Sequence, residues 1–258
     1  VCGASVAGNG RRKDGGKCQD AWGTLRLPLN AVVIGVADGF GSASRGGTGA
    51  RRAVDIALER VAGFFHPADD EGDVPAFFEK NRDIVRAGIV SAHEALWSLA
   101  GAEGLSPREF ACTMILVLWY GSSCTVAHIG DGGVVVRTPD GLICLSSPQK
   151  GEYVNETCSL AAADYTENLR VIENVPGTSA CALFTDGVER SLLVKNGAAW
   201  EPYGPFFSPA FIYLETLSDT TGGGDEIRSF LLSERMQNQS DDDMTLVMGI
   251  TAEGTCDD

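Results

Sequence analysis

Three apolar stretches of this chain run directly into an acid beside glycine. They are Val36-Ala37-Asp38-Gly39, His128-Ile129-Gly130-Asp131-Gly132 and Leu183-Phe184-Thr185-Asp186-Gly187. A further cluster, Asp241-Asp242-Asp243, precedes the last apolar run, and Asp20 lies near the start in Cys18-Gln19-Asp20-Ala21-Trp22. Any one Asp-Gly after a strand is an ordinary hairpin signal, and Pro139-Asp140-Gly141 reads as only that. The recurrence allows a second reading. Strands of packed sheets end at common edges, so several carboxylates can converge there. Converging carboxylates repel and raise one another's pKa, a cost that a divalent cation removes. Carboxylates, carbonyls and water are hard oxygen ligands, which suit Mg²⁺ or Mn²⁺. A glycine after the acid permits a turn whose carbonyl can also face an ion. Two such ions about 3.5–4 Å apart can activate a water and stabilise phosphoryl oxygens.

The elements that must position these acids alternate in kind. Ala31 to Ala37 is a short buried-strand pattern, and a Gly/Ser loop follows from Phe40 to Gly47. Apolar residues at three-to-four spacing predict a helix from Thr48, its N-cap, to Phe65, and a second from about Ala76 to Ala100. The loop between them, His66 to Pro75, is polar. Strands are predicted at Cys112–Tyr120, Cys124–Ile129, Gly133–Thr138 and Leu142–Leu145, separated by Gly- and Asp-containing turns. Ser146 to Glu173 has no clear period. Ala180 to Thr185 reads as a strand, Val188 to Lys195 as helical, and Gly197 to Pro209 as a loop or flap. Helices at about Pro209–Leu217 and Asp225–Met236 and a strand at Met244–Ile250 complete the chain. Helices set between hairpin-linked strands indicate an α+β fold with mainly antiparallel sheet. No composition break marks a boundary, so a single domain over 1–258 is expected.

Composition narrows the partners. The chain has 258 residues, with 35 Asp and Glu against 20 Lys and Arg, for a net charge of −15. So acidic a chain is poorly suited to nucleic-acid phosphates or anionic lipid. The apolar runs are too short to span a bilayer, and Val1 to Gly10 lacks the pattern of a signal peptide. Eight cysteines without a C-x-x-C pair read as buried thiols of a cytoplasmic protein. With three scattered histidines, a His/Cys zinc site is not indicated. Gly46-Gly47-Thr48-Gly49 lacks the frame of a P-loop, and nothing supports a nucleophile elbow. His128 reads as a packed or hydrogen-bonded histidine.

The acid segments, taken in order, resemble the metal-dependent protein phosphatases of the PPM or type 2C family, in its compact bacterial stand-alone branch. The matching segments are Lys17-Cys18-Gln19-Asp20-Ala21, Val36-Ala37-Asp38-Gly39-Phe40-Gly41-Ser42, Ala127-His128-Ile129-Gly130-Asp131, Phe184-Thr185-Asp186-Gly187 and Asp242-Asp243-Met244-Thr245-Leu246-Val247. Gly151 to Thr157 also resembles that branch. The resemblance implies a four-layer α-β-β-α sandwich of two mainly antiparallel sheets flanked by helices. It implies hydrolysis of phosphoserine and phosphothreonine in phosphorylated proteins that are kinase substrates. The implied cofactors are two Mn²⁺ or Mg²⁺ ions, with a possible third. On the matching positions, Asp38 would bridge two ions and Gly39 would give a carbonyl to one. Asp186 and Asp242 would hold the other ion, Asp20 would orient water, and Asp131 would hold the third. The chain departs from the family pattern at Gln19, where Glu is common, and at Gly132-Gly133, where Ser-Arg is familiar. Asp243 stands for the usual Asn and Gly15 for the usual phosphate-binding Arg. Arg11 and Arg12 are the candidate replacements for that arginine, since a bound dianion needs a cation. Two alternatives stand beside the phosphoprotein reading: a noncatalytic regulatory module on the same fold, and a phosphatase of small phosphoesters.

Overall fold

The structure, a computed structural model, describes residues 1–13, 15–66, 74–149, 158–217 and 221–251. It opens with β1 (Cys2–Val6), α1 (Asn9–Lys13), β2 (Ala21–Arg26) and β3 (Val32–Ala37). Two long helices follow, α2 (Gly46–Ala62) and α3 (Val74–Glu103). A four-strand run is next: β4 (Met114–Tyr120), β5 (Ser123–Ile129), β6 (Gly133–Thr138) and β7 (Gly141–Ser146). Then come α4 (Tyr165–Asn168), β8 (Arg170–Val175), β9 (Ala180–Phe184), α5 (Glu189–Leu192), β10 (Leu193–Asn196) and β11 (Ala199–Pro202). The last elements are α6 (Gly204–Glu215), α7 (Thr221–Leu231), α8 (Glu234–Gln237) and β12 (Met244–Ile250).

The strands form two five-stranded sheets, ordered β2-β3-β4-β5-β8 and β1-β12-β9-β6-β7, with β10-β11 as a separate hairpin. Every pairing is antiparallel. Period-two alternation explains the layering. On β4, Met114, Leu116 and Leu118 meet α2 and α3, while Ile115, Val117 and Trp119 face the other sheet. On β9, Cys181 and Leu183 join the inter-sheet core, while Ala180, Ala182 and Phe184 pack with Phe207 and Phe211 of α6. Three apolar layers therefore separate four structural ones, giving the α-β-β-α sandwich. Strands buried on both faces read as continuous apolar runs, which is why they stood out in the sequence.

Several boundaries differ from expectation. The helix predicted from Thr48 begins at Gly46, with Arg45 rather than Thr48 at the N-cap. Val188–Lys195 is helical only over α5 and then enters β10. Gly197–Pro209 is hairpin and helix rather than loop, because Pro205 sits in the first turn of α6, where its missing N–H costs nothing. Asp225–Met236 is divided into α7 and α8, and Ser233 caps the second, accepting from the Met236 N–H. The 67–73 part of the predicted polar loop and the family-like 151–157 segment lie outside the described residues. Among the described residues, no helix is long and apolar enough to cross a membrane.

Candidate metal centre

Strand register brings the acids to one end of the sandwich. Ala21 pairs with Ala37, so Asp20 and Asp38 emerge side by side from β2 and β3. β5 runs parallel to β3 with β4 between them, so Asp131 leaves at the same end. In the facing sheet, β9 ends at Phe184, which pairs with Leu246 near the start of β12. Asp186 and Asp242-Asp243 therefore approach from that side.

Tight backbone contacts then close the gap. Gly132 has φ +89°, and a Cβ there would stand 2.4 Å from the Phe184 carbonyl oxygen, so only glycine lets Asp131's turn lie against the Asp186 strand. A Cβ on Gly187 would stand 2.0 Å from the Asp243 carbonyl oxygen. Asp38 is fixed through its backbone: its N–H donates to Thr113 Oγ1 at 2.9 Å, and Thr113 N–H donates to its carbonyl at 2.9 Å. Gly39 continues that contact by bridging to Cys112.

The result is a cluster in which carboxylate oxygens of Asp38, Asp131 and Asp186 lie within 4.8 Å of one another. Burial, and then the charges of Asp20 and Asp242, hold the Asp38 carboxyl well above its ordinary pKa. Burial, then Asp38, Asp131 and Asp242, raise Asp186 to about 9. Asp20 is raised to about 7 by burial, against the opposing effect of two hydroxyl donors. Those donors are Thr245 Oγ1 at 2.7 Å and Thr185 Oγ1 at 2.8 Å, both on Asp20 Oδ2. Ser5 Oγ extends the chain, 2.6 Å from Thr245 Oγ1. Asp20 Oδ1 and Asp186 Oδ1 are buried without a hydrogen-bond donor, and each neighbours the Asp38 carboxyl instead. Buried acceptors left this way are costly unless a proton or a cation satisfies them. An all-oxygen set with orphaned acceptors fits a hard divalent ion.

The other predicted residues fall around this cluster. Asp242 is exposed, outside the three-acid group but close enough for its charge to act on Asp38 and Asp186. Its Oδ1 accepts the Asp243 N–H at 2.9 Å. The two arginines part company. Arg11 Nε forms an ion pair with Asp243 Oδ2 at 2.9 Å, and its Nη2 lies 3.2 Å from where a Cβ of Gly41 would stand, beside the loop after Asp38. Arg12 turns instead toward Gln237 Oε1 at 3.4 Å.

Sequence reasoning missed the residues that hold these groups. Asp243 is a buried hub: besides Arg11, it accepts from Gly8 N–H at 3.0 Å and Gln19 N–H at 2.6 Å. Thr113, Thr185 and Thr245 also act only through partners distant in the chain. Arg170 reaches His128, whose ring is driven neutral, its pKa down to about 3, by burial and then by the Arg170 charge. The one available sequence signal was a polar residue inside an apolar run, as at Thr113, His128 and Thr245.

Comparison with known proteins agrees with this geometry. A profile of the protein phosphatase 2C family matches residues 7–231. Serine/threonine-protein phosphatase 3 of Escherichia coli (strain K12) is 31% identical over 248 residues, covering 93% of this chain and 91% of its own. A bacterial serine phosphatase crystal structure superposes with a TM-score of 0.68 at 15% identity, covering 97% of this chain and 96% of that one. The catalytic domain of the phosphatase PstP, solved with two manganese ions, superposes with a TM-score of 0.61 at 15% identity, covering 97% of each chain. With this acid-lined sandwich end and a family match over most of its length, the chain belongs to the protein phosphatase 2C family.

Proposed function

We propose that the protein is an Mn²⁺- or Mg²⁺-dependent phosphatase of phosphoserine and phosphothreonine in proteins, acting as one catalytic domain in the cytoplasm. The observation that carries this reading is the Asp38-Asp131-Asp186 cluster, with the orphaned buried oxygens of Asp186 and neighbouring Asp20. The relatives are named serine/threonine phosphatases, and one neighbour holds two manganese ions. The described cysteines all carry free thiols, as suits a reducing compartment.

In this reading Asp38, the Gly39 carbonyl, Asp186 and Asp242 would together hold two ions. Asp131 would hold a third ion. When bound, the ions supply Lewis acidity toward phosphoryl oxygens and acidify water. The protein's own part is positional. Thr185 and Thr245 occupy Asp20 Oδ2, which leaves Oδ1 to orient a water at the cluster. Arg11 is the phosphate anchor and Arg12 is not. Asp243 pairs with Arg11 on its Nε side, Nη2 lies toward the loop after Asp38, and the Arg11 side chain keeps 24% of its exposure. A guanidinium fixed in this way is a preorganised fork for a dianion.

The test is phosphate release from phosphoserine and phosphothreonine peptides, with p-nitrophenyl phosphate as the small-ester comparison, across Mn²⁺ and Mg²⁺ concentrations. Metal-dependent turnover with a higher kcat/KM on peptides is expected. Turnover of the small ester alone would identify a small-phosphoester enzyme. No turnover with either metal would leave a noncatalytic module.

A further inference from the structure

We propose that His128 and Arg170 are positioning residues for Asp131, fixing its backbone so that its carboxylate stays in the three-acid cluster. Chemistry settles the tautomer. Arg170 Nη2 lies 2.8 Å from His128 Nδ1, and a guanidinium can only donate, so Nδ1 is the acceptor nitrogen. Nε2 then carries the hydrogen and donates to the Asp131 carbonyl at 3.1 Å. Ser146 Oγ, 2.8 Å from the same Nδ1, can donate to it as well.

The arrangement extends beyond one bond. Arg170 Nη2 also donates to the Ser147 carbonyl at 2.7 Å, tying β8 to the end of β7. Gln149 grips the residue before Asp131 twice: Gly130 N–H donates to its Oε1, and its own N–H donates to the Gly130 carbonyl, each at 3.2 Å. The turn is thus held from β5, β7 and β8 at once. This placement has a cost, since the Arg170 Nε is buried without a partner. A histidine needed only for packing would not require a cation behind it. Set beside a half-buried acid at the cluster, the pair resembles the outer-shell partners that orient metal-binding groups in other proteins.

The proposal rests on reading Asp131 as a metal ligand, so Asp131→Asn is the reference variant. The experiment is calorimetric titration of Mn²⁺ into metal-free wild type, Asp131→Asn, His128→Gln and Arg170→Lys, with thermal melts in parallel. Asp131→Asn is expected to remove or weaken the weakest Mn²⁺ binding event. His128→Gln and Arg170→Lys are expected to weaken the same event by about tenfold, as outer-shell changes do, with the tighter events within twofold of wild type. Positioning variants that bind every ion like wild type would overturn the proposal, as would variants that lose all events together with their melting temperature. If Asp131→Asn itself changes nothing, the ligand reading fails first, and the proposal with it. Should His128→Gln not fold, Arg170→Lys decides, because it keeps the charge while removing the Nη2 donor that reaches both His128 and Ser147.

Discussion

Around the half-buried Asp38 carboxyl, desolvation and then the charges of Asp20, Asp242 and Asp131 each raise its pKa. Replacing Asp38 or Asp186 with Asn removes charge at similar shape. Turnover of phosphopeptide should fall at least a hundredfold, roughly the upper range for weakened metal sites. The metal-free variants should melt no lower than wild type, because repulsion is relieved. Loss of activity with a collapsed melt would instead mark a folding defect. Arg11→Ala should raise KM for phosphopeptide roughly tenfold or more, the scale of a hydrogen bond to a charged group, with kcat less affected. Arg12→Ala, turned toward Gln237, should stay within about twofold of wild type, as surface changes usually do. Equal effects from both arginines would contradict this assignment. Asp38, Asp131 and Asp186 were legible because each ends or adjoins an apolar run, and Asp20 through the family-like segment Lys17 to Ala21. Asp243 looked like one more acid of a triplet. Its role depends on Gly8, Arg11 and Gln19, more than two hundred residues away, and no local pattern records that.

Elements set how closely the acids approach, and small residues permit the approach. In Gly187→Ala the added methyl would press on the Asp243 carbonyl, 2.0 Å away. That should lower stability by about 1–3 kcal/mol, the usual cost of forcing atoms into a packed site. It should also reduce turnover, and denaturant melts alongside kinetics check both. The long helices were legible from periodicity, and the central strands β3, β4, β5, β9 and β12 from their continuous apolar runs. Among the edge strands, β7 was legible as Leu142–Leu145, but β1, β2 and β8 were not. β1 is Cys-Gly-Ala-Ser-Val, alternately buried but built of small side chains with little hydrophobic signal. β2 contains Gly23, which lies beneath Leu58 and Val54 of α2, so its packing comes from the helix above it. The hairpin β10-β11 is short, and its exposed residues blur any period.

For the whole molecule, a net charge of −15 and a knot of buried acids make stability depend on pH and metal together. Asp186 titrates at about 9 and Asp20 at about 7 in the folded, metal-free chain, against an unfolded value of about 3.9. Between those values the folded chain holds more protons than the unfolded one. Stability of the metal-free protein should therefore fall as pH rises from about 4 to about 9. Mn²⁺ replaces those protons, so its upward shift of the melting temperature should be larger at pH 8 than at pH 5.5. Scanning fluorimetry with and without Mn²⁺ reads this directly, and an equal shift at both values would contradict it. Whether these acids form a metal centre is tested most directly by anomalous diffraction from crystals grown with Mn²⁺. Manganese peaks are expected about 2.0–2.2 Å from carboxylate oxygens of Asp38 and Asp186, within the range of hard-cation bonds. Peaks only elsewhere, or none at this end of the sandwich at saturating Mn²⁺, would contradict it.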